Sequence, residues 1–168
     1  MAKVMDPRQL FLHELGDILY VEKVLADEAL PKLIDEVRDE EFKSGLKRHL
    51  QQTQRHVANV RRAFDKLGEV AETEKCIGFD GIKKEHDKMV KDASSDLIDM
   101  VDVGAAARTE HYEIAAYQGL IAQARSLGER EIVGLLETNL RDEKETLREV
   151  EKIGRRLSKA HAKEFALA

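Results

Sequence analysis

The chain has 168 residues, a length suited to one domain with a substantial core. Charged residues make up 36% and aromatics 5%, with only two prolines, a mixture that favours long helices over sheets. The net charge is −5 with both signs interspersed, and no basic run or RNA-binding aromatic motif marks a nucleic-acid surface.

The predicted elements follow from local signals. Asp6-Pro7 is a helix start, with Asp6 as N-cap and Pro7 at the first helical position. The first helix covers about 7–37, with Pro31 expected to kink it or loosen one turn. A charged turn leads to a second helix over 42–67, closed by Gly68 as a left-handed cap. A crossover spans 68–94 and holds a short helix expected to begin at Asp80. The third helix covers 95–127 and ends at Gly128, and the fourth covers 129–157. Hairpin, long crossover, hairpin is the ferritin-like order among antiparallel four-helix bundles, so the expected fold is all-α, one ferritin-like domain over 1–168. The tail from Ser158 is expected to fray or to dock on a partner.

Cys76 is the only cysteine, which rules out an intramolecular disulfide and a cysteine-based zinc or iron–sulfur site within one chain. The N-terminal segment lacks the apolar run of a signal peptide, and no stretch approaches a membrane span. The expectation is a soluble, cytoplasmic protein.

Stepping about 100° per residue gives each helix an apolar stripe. The first carries Phe11, Leu15, Ile18, Leu25 and Leu33, with Glu22 near its centre. The third carries Val103, Tyr117, Leu120, Ile121 and Ala124, with Glu110 and Glu113 inside it. The fourth carries Ile132, Leu136, Leu147 and Val150, with Glu143 at its centre. On the second, Thr53 lies on the stripe, and His49 and His56 flank it. Four carboxylates facing one core cannot all stay ionised without cations, because desolvation and mutual repulsion both oppose it. A bound metal is the economical source of positive charge; the competing account is protonated or water-bridged acids.

Height along the helices supports a shared site. Glu22 lies about 18 residues before the first turn and His56 about 16 after it, while Glu113 and Glu143 are each about 15 from Gly128. His49 lies about 10 Å nearer the first turn, so His56 is favoured as a ligand and His49 is the weaker candidate. Glu110 and Glu113, three apart, project from one face and can converge on one metal or a pair. The set Glu22, His56, Glu110, Glu113 and Glu143, rich in oxygen and holding an imidazole, suits iron or manganese better than a thiolate-type zinc site; the expectation is iron, as one ion or two, with manganese or zinc as substitutes. The two-metal pattern of such bundles takes single Glu residues from two helices and a Glu-x-x-His pair from each of the others. Here the second helix has Thr53 beside Gln52 where Glu is expected, and the fourth has Thr146 and Leu147 where His is expected. His13, His86, His111 and His161 read as solvated.

The segments LFLHELGDILYVEKVL and ALPKL in the first helix, HLQQT in the second, EHYEIAAY in the third and LRDEK in the fourth resemble the YciE/YciF-like family of small bacterial ferritin-like stress proteins. EHYEIAAY is the most specific of these. The resemblance covers nearly the whole chain. It implies a ferritin-like bundle, usually a homodimer, with a rubrerythrin-like metal centre whose ligands include Glu22, Glu110, Glu113 and Glu143. The family typically has Glu where this chain has Gln52, which makes Gln52 a weaker candidate ligand. The buried carboxylates point to carboxylate-bridged metal binding linked to iron or peroxide chemistry; the alternatives are a non-catalytic, structural or stress-protective bundle and an interaction module that recruits a partner through the tail or crossover.

Overall fold

The computed structural model describes residues 4–167, with side chains described through Ala162. Among these residues the protein is all-helical, with no strand. Helix α1 (Pro7–Val24) begins where Asp6 accepts a hydrogen bond from the Gln9 N–H at 2.8 Å. The loosened turn expected from Pro31 is present. The adjustment comes one turn earlier, where Leu25–Ala29 form a π turn and the Leu30 N–H reaches back to the Leu25 carbonyl. A proline lacks the N–H and crowds the carbonyl four residues before it; a widened preceding turn accommodates both defects. Helix α2 (Leu30–Glu36) then completes the first helical arm.

Helix α3 (Glu40–Leu67) is capped by Asp39, which accepts from the Phe42 N–H at 2.9 Å, and it ends at Gly68 with φ +70°. The connection after Gly68 runs along α1: Glu74 N–H donates to the Gly16 carbonyl at 3.0 Å. A Cβ at Gly16 would lie 3.0 Å from the Glu72 carbonyl oxygen, so glycine permits this close approach. Helix α4 (Ile77–Asp92) starts three residues before the expected Asp80, because the Cys76 sulfur accepts from the Phe79 N–H and serves as the cap. A 3-10 turn at Ser95–Leu97 precedes α5 (Ile98–Ser126). Gly128, at φ +80°, turns the chain into α6 (Arg130–Leu167). This last helix passes the expected end near 157, because neither glycine nor proline follows Gly154.

Helix α5 packs against α1, α4 and α6, and α3 packs against α1 and α6. Arg125 bonds Glu137 beside the Gly128 turn, while Val103 lies against Gly154 at the other end, so α5 and α6 are antiparallel. Arg8 reaches the Leu67 carbonyl at 3.0 Å, which sets α1 antiparallel to α3 in the same way. Buried Phe11, Leu15, Ile18, Val60, Leu120 and Leu136 form the apolar core on one side of a polar middle, and Leu30, Phe42, Leu46, Val103 and Val150 form it on the other. Among the described residues no helix is long and apolar enough to cross a membrane.

Candidate metal centre

The apolar stripes carry their polar exceptions into the interior. Glu22, Glu113 and Glu143 have no solvent exposure, and Glu110, His49 and His56 are equally buried. All five acids and imidazoles favoured by the sequence therefore lie inside. Their atoms fall into two clusters, Glu22–His56–Glu143 and His49–Glu110–Glu113–Glu143, in each of which one donor atom per residue lies within 4.8 Å of the others. Glu143 belongs to both.

His49, the weaker candidate by height, is buried. Its Nε2 lies 3.2 Å from Glu110 Oε1, and its Nδ1 meets the Thr146 hydroxyl at 3.3 Å and Glu143 at 3.9 Å. The polar centre is elongated along the helix axes, so residues separated by two turns of α3 both reach it. Positions 49, 53 and 56 share the inner face of α3. Buried Thr53 donates its hydroxyl to the His49 carbonyl at 3.0 Å. Gln52 is only half-buried and makes no hydrogen bond to the cluster.

His56 Nδ1 approaches Glu143 Oε1 at 2.8 Å and Glu22 Oε1 at 3.3 Å, yet it is not aligned for a hydrogen bond to either. On the opposite ring edge Nε2 meets Asp142 at 3.3 Å, which holds the imidazole plane. Asn139 donates to the Tyr117 hydroxyl at 2.9 Å, and Asn59 donates to Asn139 at 2.8 Å. Tyr117 in turn donates to Glu22. Asn139, Asp142 and Tyr117 were absent from the candidate set. A buried Asn between Leu136 and Glu143 on the α6 stripe is a signal the sequence offers.

Six acidic oxygens at the centre have no hydrogen-bond partner: Glu22 Oε2, Glu110 Oε2, and both oxygens of Glu113 and Glu143. Burial pushes the Glu113 carboxyl well above its ordinary range, and the charges of Glu143, Glu22 and Glu110 add to it. Burial likewise raises Glu22 and Glu143, opposed by the neighbouring histidines. Burial pulls the imidazoles down, but the surrounding acids prevail: Glu110 and Glu143 lift His49 to about 9, and Glu22 and Glu143 lift His56 to about 11. Without a cation the acids must share protons with one another and with the two imidazoles.

The other histidines divide. His13 is half-buried and His111 exposed. His86 is not simply solvated, for its Nε2 binds buried Asp102 at 2.7 Å. His161 lies 3.0 Å from both the Leu157 and Asp96 carbonyls. Tyr112 directs its hydroxyl to Cys76 at 2.9 Å and Asp17 at 3.2 Å. Cys76 is fully buried, and burial raises its thiol pKa.

Residues 6–163 match the family model described as "Domain of unknown function (DUF892)". The chain belongs to this family. Protein YciF of Escherichia coli is 30% identical to this DUF892 chain over 139 residues, which cover 82% of the chain and 83% of YciF. The likeness to the YciE/YciF-like family carried by EHYEIAAY and its companion segments therefore holds. Among solved structures, YcfI from Rhodopseudomonas palustris superposes with a TM-score of 0.85 at 36% identity, over 89% of this chain and 95% of that one. The crystal structure of the E. coli stress protein YciF also gives 0.85, at 26% identity, over 92% and 98%.

Proposed function

We propose that this DUF892 chain is a single-domain, ferritin-like antiparallel four-helix bundle that holds a carboxylate-bridged pair of metal ions, iron foremost, with manganese or zinc as substitutes. The observation that carries the reading is the set of six buried, unpartnered acidic oxygens on Glu22, Glu110, Glu113 and Glu143. Unpaired carboxylates in a dry interior are strongly unfavourable unless they are protonated or bound to a cation. Glu22 and His56 would hold one ion, His49, Glu110 and Glu113 the other, and Glu143 would bridge them. Gln52 stands at the margin. Two irons held by these carboxylates would supply one-electron redox chemistry toward oxygen or peroxide. The chain's own residues set the frame: Tyr117 and Asn139 fix the Glu22 carboxylate, and Asp142 fixes the ring of His56.

A non-catalytic, structural or stress-protective bundle is the second reading. It is favoured by Thr53 and Thr146, which stand where the two-metal pattern has further ligands. YciF's description as a stress protein is compatible with either role. We further propose a cytoplasmic homodimer, for which light scattering that returns the 19.1 kDa monomer mass at every concentration is the disproof.

The test is metal analysis of protein loaded anaerobically with Fe(II), followed by oxygen uptake. Wild type should bind two irons, Glu143→Ala should lose most of both, and Glu149→Ala, which removes a surface partner of Arg48, should lose neither. Equal iron content in all three overturns the site. Full iron content without oxygen or peroxide consumption favours the structural reading.

A further inference from the structure

A cavity of about 300 Å³ lies between the first helical arm and helices α3 to α6, and it reaches the metal centre from one side. That volume is at the lower end of the range for small-molecule sites. Its walls are aliphatic and aromatic: Leu30, Leu33, Phe42, Leu46, Phe79 and Ile82. The π turn contributes Leu25, Glu28 and Ala29, so the widened turn forms part of the wall. His49, Glu110 and Thr146 line it as well and belong to, or touch, the buried cluster. Glu110 keeps one oxygen without a hydrogen-bond partner.

Charge among the lining residues narrows the ligand. Lys32 and Lys83 are its only lysines, and each faces an acid: Lys32 is 3.9 Å from Asp87 and Lys83 is 3.7 Å from Glu28. Glu36 and Glu149 add negative charge. His86, also in the lining, is tied to Asp102. Outside the buried centre the lining offers no unpaired cation to a carboxylate or phosphate, and its excess of acids repels one.

We propose that this cavity binds an uncharged, mainly aliphatic small molecule and brings it to the His49–Glu110 side of the centre. Binding depends only on the cavity walls. The ligand's role as a substrate at that centre rests on the metal reading above.

The experiment uses the full chain, metal-free and iron-loaded, with the neutral fluorophore N-phenyl-1-naphthylamine as probe and 1-decanol and decanoate as competitors. Probe fluorescence should rise in both forms, and 1-decanol should displace the probe at a concentration at least tenfold below that of decanoate. Ala106→Trp, which fills the cavity from the α5 wall, should weaken probe binding at least tenfold while circular dichroism and iron content stay at wild-type values. Should that variant misfold, Ala105→Phe fills the same wall with a smaller group. Unchanged binding in the folded variant, or equal competition by decanoate, overturns the proposal. A variant that alters molecular mass instead of probe binding would assign the cavity to a second copy of the chain, and that also overturns it. Decanol binding without iron binding removes the metal reading alone; iron binding without decanol binding removes the cavity proposal alone.

Discussion

Tyr117 and Glu22 meet in the interior, the phenol donating its hydrogen bond to a carboxylate on a helix 95 residues away in sequence. Asn139 completes the arrangement by donating to the same phenol oxygen. Tyr117→Phe therefore takes the hydrogen bond from the Glu22 oxygen and leaves the Asn139 amide only the His56 carbonyl, at 3.4 Å. The expected cost is about 1–3 kcal/mol of unfolding free energy, together with weaker binding at the Glu22–His56 ion. Urea unfolding of the metal-free protein measures the first, and Fe(II) titration the second. A loss of stability with unaltered metal affinity would detach Tyr117 from the site.

Glu113 has two buried oxygens and no hydrogen-bond donor. Replacing it with Gln removes the repulsion from Glu143, Glu22 and Glu110. Metal-free Glu113→Gln should be the more stable protein by about 1 kcal/mol, or about 2–4 °C in Tm. The same variant should take up less iron. Calorimetry of the metal-free pair, set beside their iron content, checks both halves. A variant less stable than wild type would mean that the Glu113 carboxyl has a structural partner.

The pH response of the metal-free protein has a definite sign. His49 and His56 are raised to about 9 and about 11, against an unfolded value of about 6.5. Their contribution to stability is complete below about 6.5 and is lost as pH rises through the folded values. The raised carboxyls of Glu113, Glu22 and Glu143 act in the same direction from the ordinary carboxylate range upward. Metal-free protein should therefore melt at a lower temperature at pH 9 than at pH 6.5. Loading with metal should abolish most of that decline, because the cation replaces the protons. Thermal melts at both pH values, with and without metal, decide the matter; parallel curves would contradict it.

Asp39 joins three elements at one end of the molecule. It caps α3 at Phe42, its backbone N–H donates to Asp99 at 2.8 Å, and it receives Arg156 from α6 at 2.6 Å. The hydrogen bond from Arg156, with that of the Phe42 N–H, holds its carboxyl below the usual range. Its stabilisation is present above the unfolded pKa and disappears as pH falls through the lower folded value. Asp39→Ala should cost about 1–2 kcal/mol at neutral pH. Asp39→Asn retains the cap and should cost under about 1 kcal/mol. Urea midpoints at pH 7 and pH 3 test this, and the gap between wild type and Ala should narrow at the lower pH.

Local chemistry was the legible part of the fold. Asp6-Pro7, Gly68 and Gly128 mark helix ends because caps depend on a few adjacent backbone groups. The buried acids were legible because Glu inside an apolar stripe violates the pattern that places it there. Pro31 signals a loosened turn, but not its π register, the bond from Leu30 back to Leu25. The cap at Cys76 has no clear sequence signal, because a thiol is an uncommon acceptor in that position. The grouping of His49 with Glu110 depends on the axial register of α3 against α5, which helix phase alone does not set.

The triad Glu22–His56–Glu143 draws on α1, α3 and α6, and so on nearly the whole span of the chain. During synthesis, the first two residues emerge long before the third, and the two short-turn hairpins, the first arm with α3 and α5 with α6, are the local pairings available to the nascent polypeptide. The final docking event must then bring like charges together. Protons or metal ions in the surrounding solution become reactants in folding, and the rate of that last step should depend on their concentration.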